Sequence, residues 1–387
     1  MQIEDLKKEN KLLEIFCELV QIPSPSMKEE KVIEWIKNFC ADNGINCKSD
    51  DYGNLIITVS GTVTDKQPLL LSAHMDVVGD ASPINLQIND DFIETDKTRT
   101  LGADDKAGVA CALMLAYEFS HIYPLEIVLT RDEEHGMSGI KHLDFSKLNS
   151  KYALVLDADK LGQLLVSGAS YTNAQLNLKT SYGGHSGLDI GDEKRLNAAK
   201  LIAELVNEIP QGVFYKDETG TITSINIGTI IAGNTQNGTP VTNVINTKAQ
   251  ATYSIRSASF EKENELKAII QNIVEKFNKK YDSLANAEII FSQHLPPFEK
   301  AQDDFIEKIH TKVCAMLGIN QDISSFHAGA ETHIYAQNKN SKGETICPFL
   351  VGLADVFNMH SIDEKIDYKT LIQGYNLLKE MFLEFNK

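Results

Sequence analysis

Histidines and acidic residues recur along this chain at positions from which they could close around a metal ion. His74-Met75-Asp76 follows the apolar run Leu69-Leu70-Leu71-Ser72-Ala73. Side chains alternate along a strand, so His74 and Asp76 project to one side at its end. A carboxylate there can accept the second ring N–H of a ligating histidine, fixing its tautomer and raising its basicity. Taken alone, the pair reads more readily as a surface ion pair. Leu101-Gly102-Ala103-Asp104-Asp105-Lys106-Ala107-Gly108 opens a helical pattern; an aspartate there ordinarily caps backbone N–H groups, a role compatible with ligation. Arg131-Asp132-Glu133-Glu134-His135-Gly136 follows another apolar run. Its adjacent glutamates point different ways, so one can hold a metal while the other faces a bound water; otherwise it is an acidic turn. The run 152–156 ends in Asp157-Ala158-Asp159, with Asp159 left aside as a loop acid. Four successive elements thus deliver His or acid at the end where open α/β sheets bind ligands. Such a set can activate water for hydrolysis.

The elements that must carry these groups are legible in the periodicity. Leu12, Phe16 and Leu19 lie on one helical face, and Val32, Ile36 and Phe39 on another. Short apolar runs at 54–60, 68–74, 125–130 and 152–156 predict strands, and a helix is expected from about Asp105 to Ser120. Runs such as LLL, EIVL and ALVL are apolar on both faces, as in strands covered by helices on both sides, which predicts an α/β sandwich around a largely parallel sheet. From about residue 168 the pattern changes. Ala174, Leu176 and Leu178 alternate with polar residues, as do Ile225, Ile227, Thr229 and Ile231, and then Ala251, Tyr253 and Ile255. Those strands have one wet face. With helical segments near 194–208 and 260–281, they predict an inserted α+β unit ending near His294-Leu295-Pro296-Pro297. The chain closes on an amphipathic helix bearing Leu371, Tyr375, Leu378 and Phe382. The expected domains are therefore 1–167 with 295–387, and 168–294.

The 387 residues carry 37 basic and 54 acidic side chains, a net charge of −17 that disfavours phosphate backbones and anionic membranes as partners. No apolar stretch approaches the ~18 residues needed to span a bilayer, and the N-terminal pattern is not that of a secretion signal. Six cysteines, Cys17, Cys40, Cys47, Cys111, Cys314 and Cys347, form no CxxC pair and read as reduced thiols of a cytoplasmic protein.

The ordered series LSAHMD, GADDKAG, RDEEHG, VLDAD, GGHSG and FNMHS resembles the M20 metallopeptidase family, most closely its peptidase T-like branch, over nearly the whole chain. The resemblance implies a zinc-peptidase-like α/β/α catalytic domain with an inserted lid that mediates dimerisation in many members. It implies two Zn2+ per chain, for which Co2+ or Mn2+ could substitute: one held by His74 and Asp157, a second by Glu134 and His360, with Asp104 bridging. Three carboxylates against two divalent cations leave one net positive charge, enough to favour a bound hydroxide. Glu133 becomes the general base and Asp76 the carboxylate orienting His74. The Asp104-Asp105 bond is expected to be cis, and Asp157 in place of glutamate tilts the expectation toward cleavage from the N-terminal side. In the lid, His185 matches the histidine that reaches a reacting carbonyl, often across a dimer; Asn243 and Arg256 match substrate-holding positions. As plain sequence, GGHSG is also a glycine-rich turn and Arg256 an exposed strand arginine.

The chain also departs from the tripeptidase pattern. Val77-Val78-Gly79-Asp80 follows His74-Met75-Asp76, and Phe326-His327-Ala328-Gly329-Ala330-Glu331-Thr332 stands where tripeptidases carry a loop ending in Thr-Asp-Gly. His327 and Glu331 read either as substrate contacts or as helix-start residues. The expected activity is hydrolysis of di- or tripeptides from the N-terminus; the alternatives are an N-acyl amino acid deacylase with the same centre, or a non-catalytic binding module.

Overall fold

The computed structural model describes residues 2–63, 66–119, 122–218, 220–236 and 239–387. The chain divides into two compact units. One comprises Met1–Val166, Lys300–Ser324 and Ala330–Lys387; the other comprises Ser167–Glu299 and Ser325–Gly329.

The first unit is built on an eight-stranded sheet. Its order is Asn46–Ser49, Leu55–Val59, Leu125–Thr130, Leu69–His74, Tyr152–Ala158, Cys347–Gly352, Gln163–Gly168 and Asp322–Phe326. The four middle strands run parallel and the strands flanking them pair antiparallel, an α/β architecture with a mostly parallel centre. Leu69–His74 and Leu125–Thr130 are buried at every residue, as their two-sided apolar runs require. Parallel pairing brings strand ends to one edge. His74 pairs with Thr130, just before the acidic turn, and Ser72 with Val155, which sets His74 beside Asp157 two residues later. The ladder to Cys347–Gly352 continues as far as Ala158, so Asp157 lies inside a strand that the apolar run alone ends at Leu156.

The helix Ala103–Phe119 packs on the strand Leu69–His74 and on the helix Lys11–Gln21. It is buried almost all round, which its run of Ala, Gly and Leu permits. Asp104 and Asp105 have non-helical backbone angles and are joined by a cis peptide bond, so regular helix begins after them. The expected end at Ser120 lies outside the described residues. A smaller antiparallel sheet orders Val356–Phe357, Lys365–Asp367, Phe92–Thr95 and Leu86–Asn89, and the turn between its first two strands carries His360.

The second unit is an antiparallel sheet in the order Gly212–Lys216, Ile222–Ala232, Lys248–Ser257, Tyr171–Thr180 and Ala285–Leu295. Alternate residues of two of these strands are buried, and Leu176, Leu178, Ala251 and Ile255 share a core with Leu201, Leu205, Leu266 and Ile270 of the helices Ala198–Glu208 and Phe260–Tyr281. The first helix starts at Ala198 rather than near 194 because the Asn197 side chain accepts the N–H of Ala199 at 2.9 Å and caps it there. All six cysteines are free. Among the described residues no helix is long and apolar enough to cross a membrane.

Candidate metal centre

The first unit brings His74, Asp104, Glu134, Asp157 and His360 together at the edge where its parallel strands end. His74 is buried at the end of its strand. Its Nδ1 lies 3.0 Å from the backbone carbonyl of Asp76 and 3.4 Å from that residue's Oδ1, so both parts of Asp76 orient the ring. A carbonyl can only accept; in the neutral ring Nδ1 therefore carries the proton and Nε2 presents its lone pair. Nε2 stands 3.0 Å from Asp104 Oδ1 and 3.6 Å from Asp157 Oδ1. The other oxygen of Asp104 lies 3.0 Å from His360 Nε2, which is also 3.0 Å from Glu134 Oε1. Two donor groups result, His74 with Asp104 and Asp157, and His360 with Asp104 and Glu134, each gathered within 4.8 Å.

The local folding that presents these groups is specific. The Asp105 carboxylate accepts the N–H of Gly108 at 2.9 Å and of His74 at 3.3 Å. A Cβ on Gly108 would meet that carboxylate at 2.3 Å and Leu156 Cβ at 2.8 Å, so a larger residue there would displace one or both. The Asp76 carboxylate accepts the Ser26 hydroxyl at 2.7 Å and the N–H groups of Glu133 and Glu134 at 2.9 and 3.2 Å. Glu29, also fully buried, accepts the N–H of Asp132 at 3.1 Å and two bonds from Arg131. Two buried carboxylates thus clamp the acidic turn, one pulling on its backbone from each end. Glu29, Asp76 and Asp132 form a third acidic cluster, but this one has its own counter-charge in Arg131, with further hydrogen bonds from Ser26 and from Tyr52 to Asp132. It is scaffold.

The electrostatics are those of acids crowded around a place meant for positive charge. Burial and the neighbouring Asp104 push the Asp157 carboxyl up to about 7. Burial raises Glu134 as well, and lifts Glu133 well above the usual carboxylate range against the opposing pull of His74. Asp76 goes the other way: burial opposes its charge, yet its bonds to His74, Ser26 and the turn hold it at about 2. The donor set fits divalent cations. Each group offers one imidazole nitrogen and two carboxylate oxygens, with Asp104 shared, and three protein donors leave a coordination position open. Glu134 Oε1 is buried with His360 Nε2 3.0 Å away and makes no hydrogen bond, an acceptor that a cation between the two would satisfy.

The three lid residues lie in the second unit. His185 is exposed; its Nδ1 accepts the N–H groups of Gly187 and Leu188 at 3.1 and 3.2 Å, and its backbone pairs with Val244. The carbonyl of Asn243 accepts the N–H of Ser186 at 2.9 Å, so these two segments are neighbours. Arg256 lies on the strand Lys248–Ser257 with its guanidinium 4.8 Å from the centre of the Tyr171 ring. His327, in the same unit, bonds the Ser224 hydroxyl at 2.7 Å. Glu331, in the first unit, is buried beside Ser72, and burial pushes it up to about 7. Glu29, Arg131 and Ser26 escaped the reading of the sequence, since nothing in their local spacing ties them to residues 50 to 103 positions away.

A domain with this fold and this arrangement of acids and histidines is that of a metal-dependent hydrolase. Residues 70–384 match the model of peptidase family M20/M25/M40. The chain belongs to that family and is a peptidase of the hydrolase class. An uncharacterized protein YqjE of Bacillus subtilis (strain 168) is 26% identical over 98% of this chain and 99% of its own length. Peptidase T of Clostridium novyi (strain NT) is 30% identical, but the match spans 56% of this chain and 51% of that protein. Among solved structures, the aminopeptidase PepT from Bacillus cereus ATCC 10987 superposes with a TM-score of 0.83 at 25% identity, covering 97% of this chain and 98% of the other.

Proposed function

We propose that this chain is a two-metal aminopeptidase that hydrolyses di- and tripeptides bearing a free N-terminus. One observation carries the reading: the two oxygens of Asp104 face different histidines, Oδ1 toward His74 and Oδ2 toward His360, each 3.0 Å away. That is the placement of a carboxylate shared between two cations. His74 and Asp157 would hold one, Glu134 and His360 the other. Imidazole and carboxylate donors suit zinc, with cobalt or manganese as substitutes. When bound, the pair of cations supplies Lewis acidity for the scissile carbonyl and lowers the pKa of water between them.

The remaining steps belong to side chains. Glu133, next to the ligand Glu134 but held by its own N–H bond to Asp76, takes the proton of the attacking water and returns it to the leaving amine. Its raised proton affinity suits both halves of that transfer. Asp76 keeps His74 and the acidic turn in register. In the second unit, His185, Asn243 and Arg256 would steady the developing oxyanion and the peptide, and Arg256 could grip a carboxylate in two-point fashion. A homodimer formed through that unit would offer the exposed His185 to a second copy. Six unpaired thiols favour a reducing compartment, and we place the protein in the cytoplasm.

The test is hydrolysis by zinc-loaded protein of di- and tripeptides supplied with free and with acetylated N-termini. Cleavage of the free forms alone is expected; cleavage of the acetylated forms alone would make the protein a deacylase. Glu133→Gln should keep its metals and lower kcat by about 10²–10⁴-fold, the usual contribution of a general base. If Glu133→Gln loses metal while Glu134→Gln is harmless, the two roles are reversed.

A further inference from the structure

We propose that Glu364 is a positioning residue that fixes Asp104 against the turn carrying His360 and so assembles the second of the two metal subsites. The inference rests on the two-metal reading above. Glu364 is 1% exposed, and both its oxygens are engaged by one short stretch of chain. Oε2 accepts the N–H of Gly102 at 2.7 Å together with the hydroxyl of Thr100, and Oε1 accepts the N–H of Asp104 at 3.2 Å. Three donors drawn from residues 100, 102 and 104 thus converge on a single carboxylate. Gly102 makes this convergence possible: its φ is +76°, and a Cβ there would meet Val77 Cγ1 at 2.6 Å. Upstream, Arg99 anchors the same stretch by donating to the carbonyls of Ser82, Thr100 and Val20.

At its other end Glu364 closes the turn that bears His360. Its N–H donates to the carbonyl of Ser361 at 3.2 Å, and the Ser361 hydroxyl donates to the carbonyl of Asn358 at 2.7 Å. His360 and Asn358 have φ of +60° and +55°, conformations that no ladder imposes on this turn. The distance from Asp104 Oδ2 to His360 Nε2 is therefore set by bonds that meet at Glu364. His74 and Asp157 need no such tie, since strand pairing places them.

The experiment is calorimetric titration of metal-free protein with zinc, run on wild type, Glu364→Gln and Glu364→Asp, with thermal unfolding of each metal-free form. Gln keeps the shape of Glu but turns an NH2 toward backbone donors; Asp keeps the charge but falls short of all three. Wild type should take two equivalents. Glu364→Gln should bind one equivalent about 10–100-fold more weakly, the usual effect of losing an outer partner of a ligand, and the other, which shares Asp104 but keeps His74 and Asp157 in place by strand pairing, far less so. Glu364→Asp should fall between them, and it carries the test alone if the Gln variant does not unfold cooperatively. A general structural role would instead lower the unfolding temperature and weaken both equivalents alike. Uniform weakening, or two equivalents bound as in wild type, overturns the proposal. Fewer than two equivalents in wild type overturns the two-metal reading itself, and this inference with it.

Discussion

The two halves of the proposed centre are made by different means. His74 and Asp157 stand on adjacent parallel strands, and the ladder that pairs Ser72 with Val155 sets their separation. His74 has a side chain only 2% exposed. Glu134 and His360 stand on turns, one clamped by Asp76 and Glu29, the other closed by Glu364, and the His360 side chain is 50% exposed. The strand-borne half is a by-product of the core; the loop-borne half exists only through hydrogen bonds dedicated to it. Asp104 belongs to both, at a kink between loop and helix. The arrangement implies that one half is rigid and stability-linked, and the other adjustable at little penalty to the fold.

Substitutions can break that contrast or sharpen it. The largest effect is expected at the shared residue: Asp104→Ala should abolish binding of both zinc equivalents, measured by metal analysis after dialysis, and with them peptide hydrolysis. Retention of one equivalent would show that the halves are independent. Next comes a paired comparison. His74→Ala and His360→Ala should each lose one equivalent. In metal-free protein, His74→Ala should also lose about 2 kcal/mol in denaturant titrations, as buried polar truncations do, against about 0.5 kcal/mol or less for His360→Ala at its exposed site. Equal losses of stability would erase the distinction drawn here.

The smallest effect concerns acid. Asp76, held at about 2 in the fold against an ordinary 3.8, has a depressed folded pKa. It therefore contributes stability that is present above about 4 and lost as the pH falls toward 2, at most about 2.5 kcal/mol for a shift of this size. Asp76→Asn should flatten the stability of metal-free protein across that window, and an unchanged acid limb would contradict the clamp.

The legibility of the molecule in its sequence follows the same division. The strands were readable because a run such as Leu69-Leu70-Leu71 carries its burial in its own composition, and parallel pairing then dictates that His74, the acidic turn and Asp157 share an edge. The alternation of Ala174, Leu176 and Leu178 likewise announced a sheet with one wet face. Boundaries slipped where a cap or ladder decided them, as at Asn197 and Ala158. His360 was legible only through the resemblance of FNMHS to a family motif, since a turn closed by Glu364 has no periodicity to betray it. Glu29, Arg131 and Glu364 stayed hidden for a physical reason: each acts on a segment 79 to 264 residues away, from a sequence context that reads as ordinary surface charge.

The most direct test of the centre is anomalous X-ray scattering at the zinc edge from crystals of the zinc-loaded protein. Two peaks are expected, one beside His74 and Asp157 and one beside Glu134 and His360, with Asp104 between them. A single peak, or a peak within the Glu29, Asp76 and Asp132 cluster instead, would contradict the account.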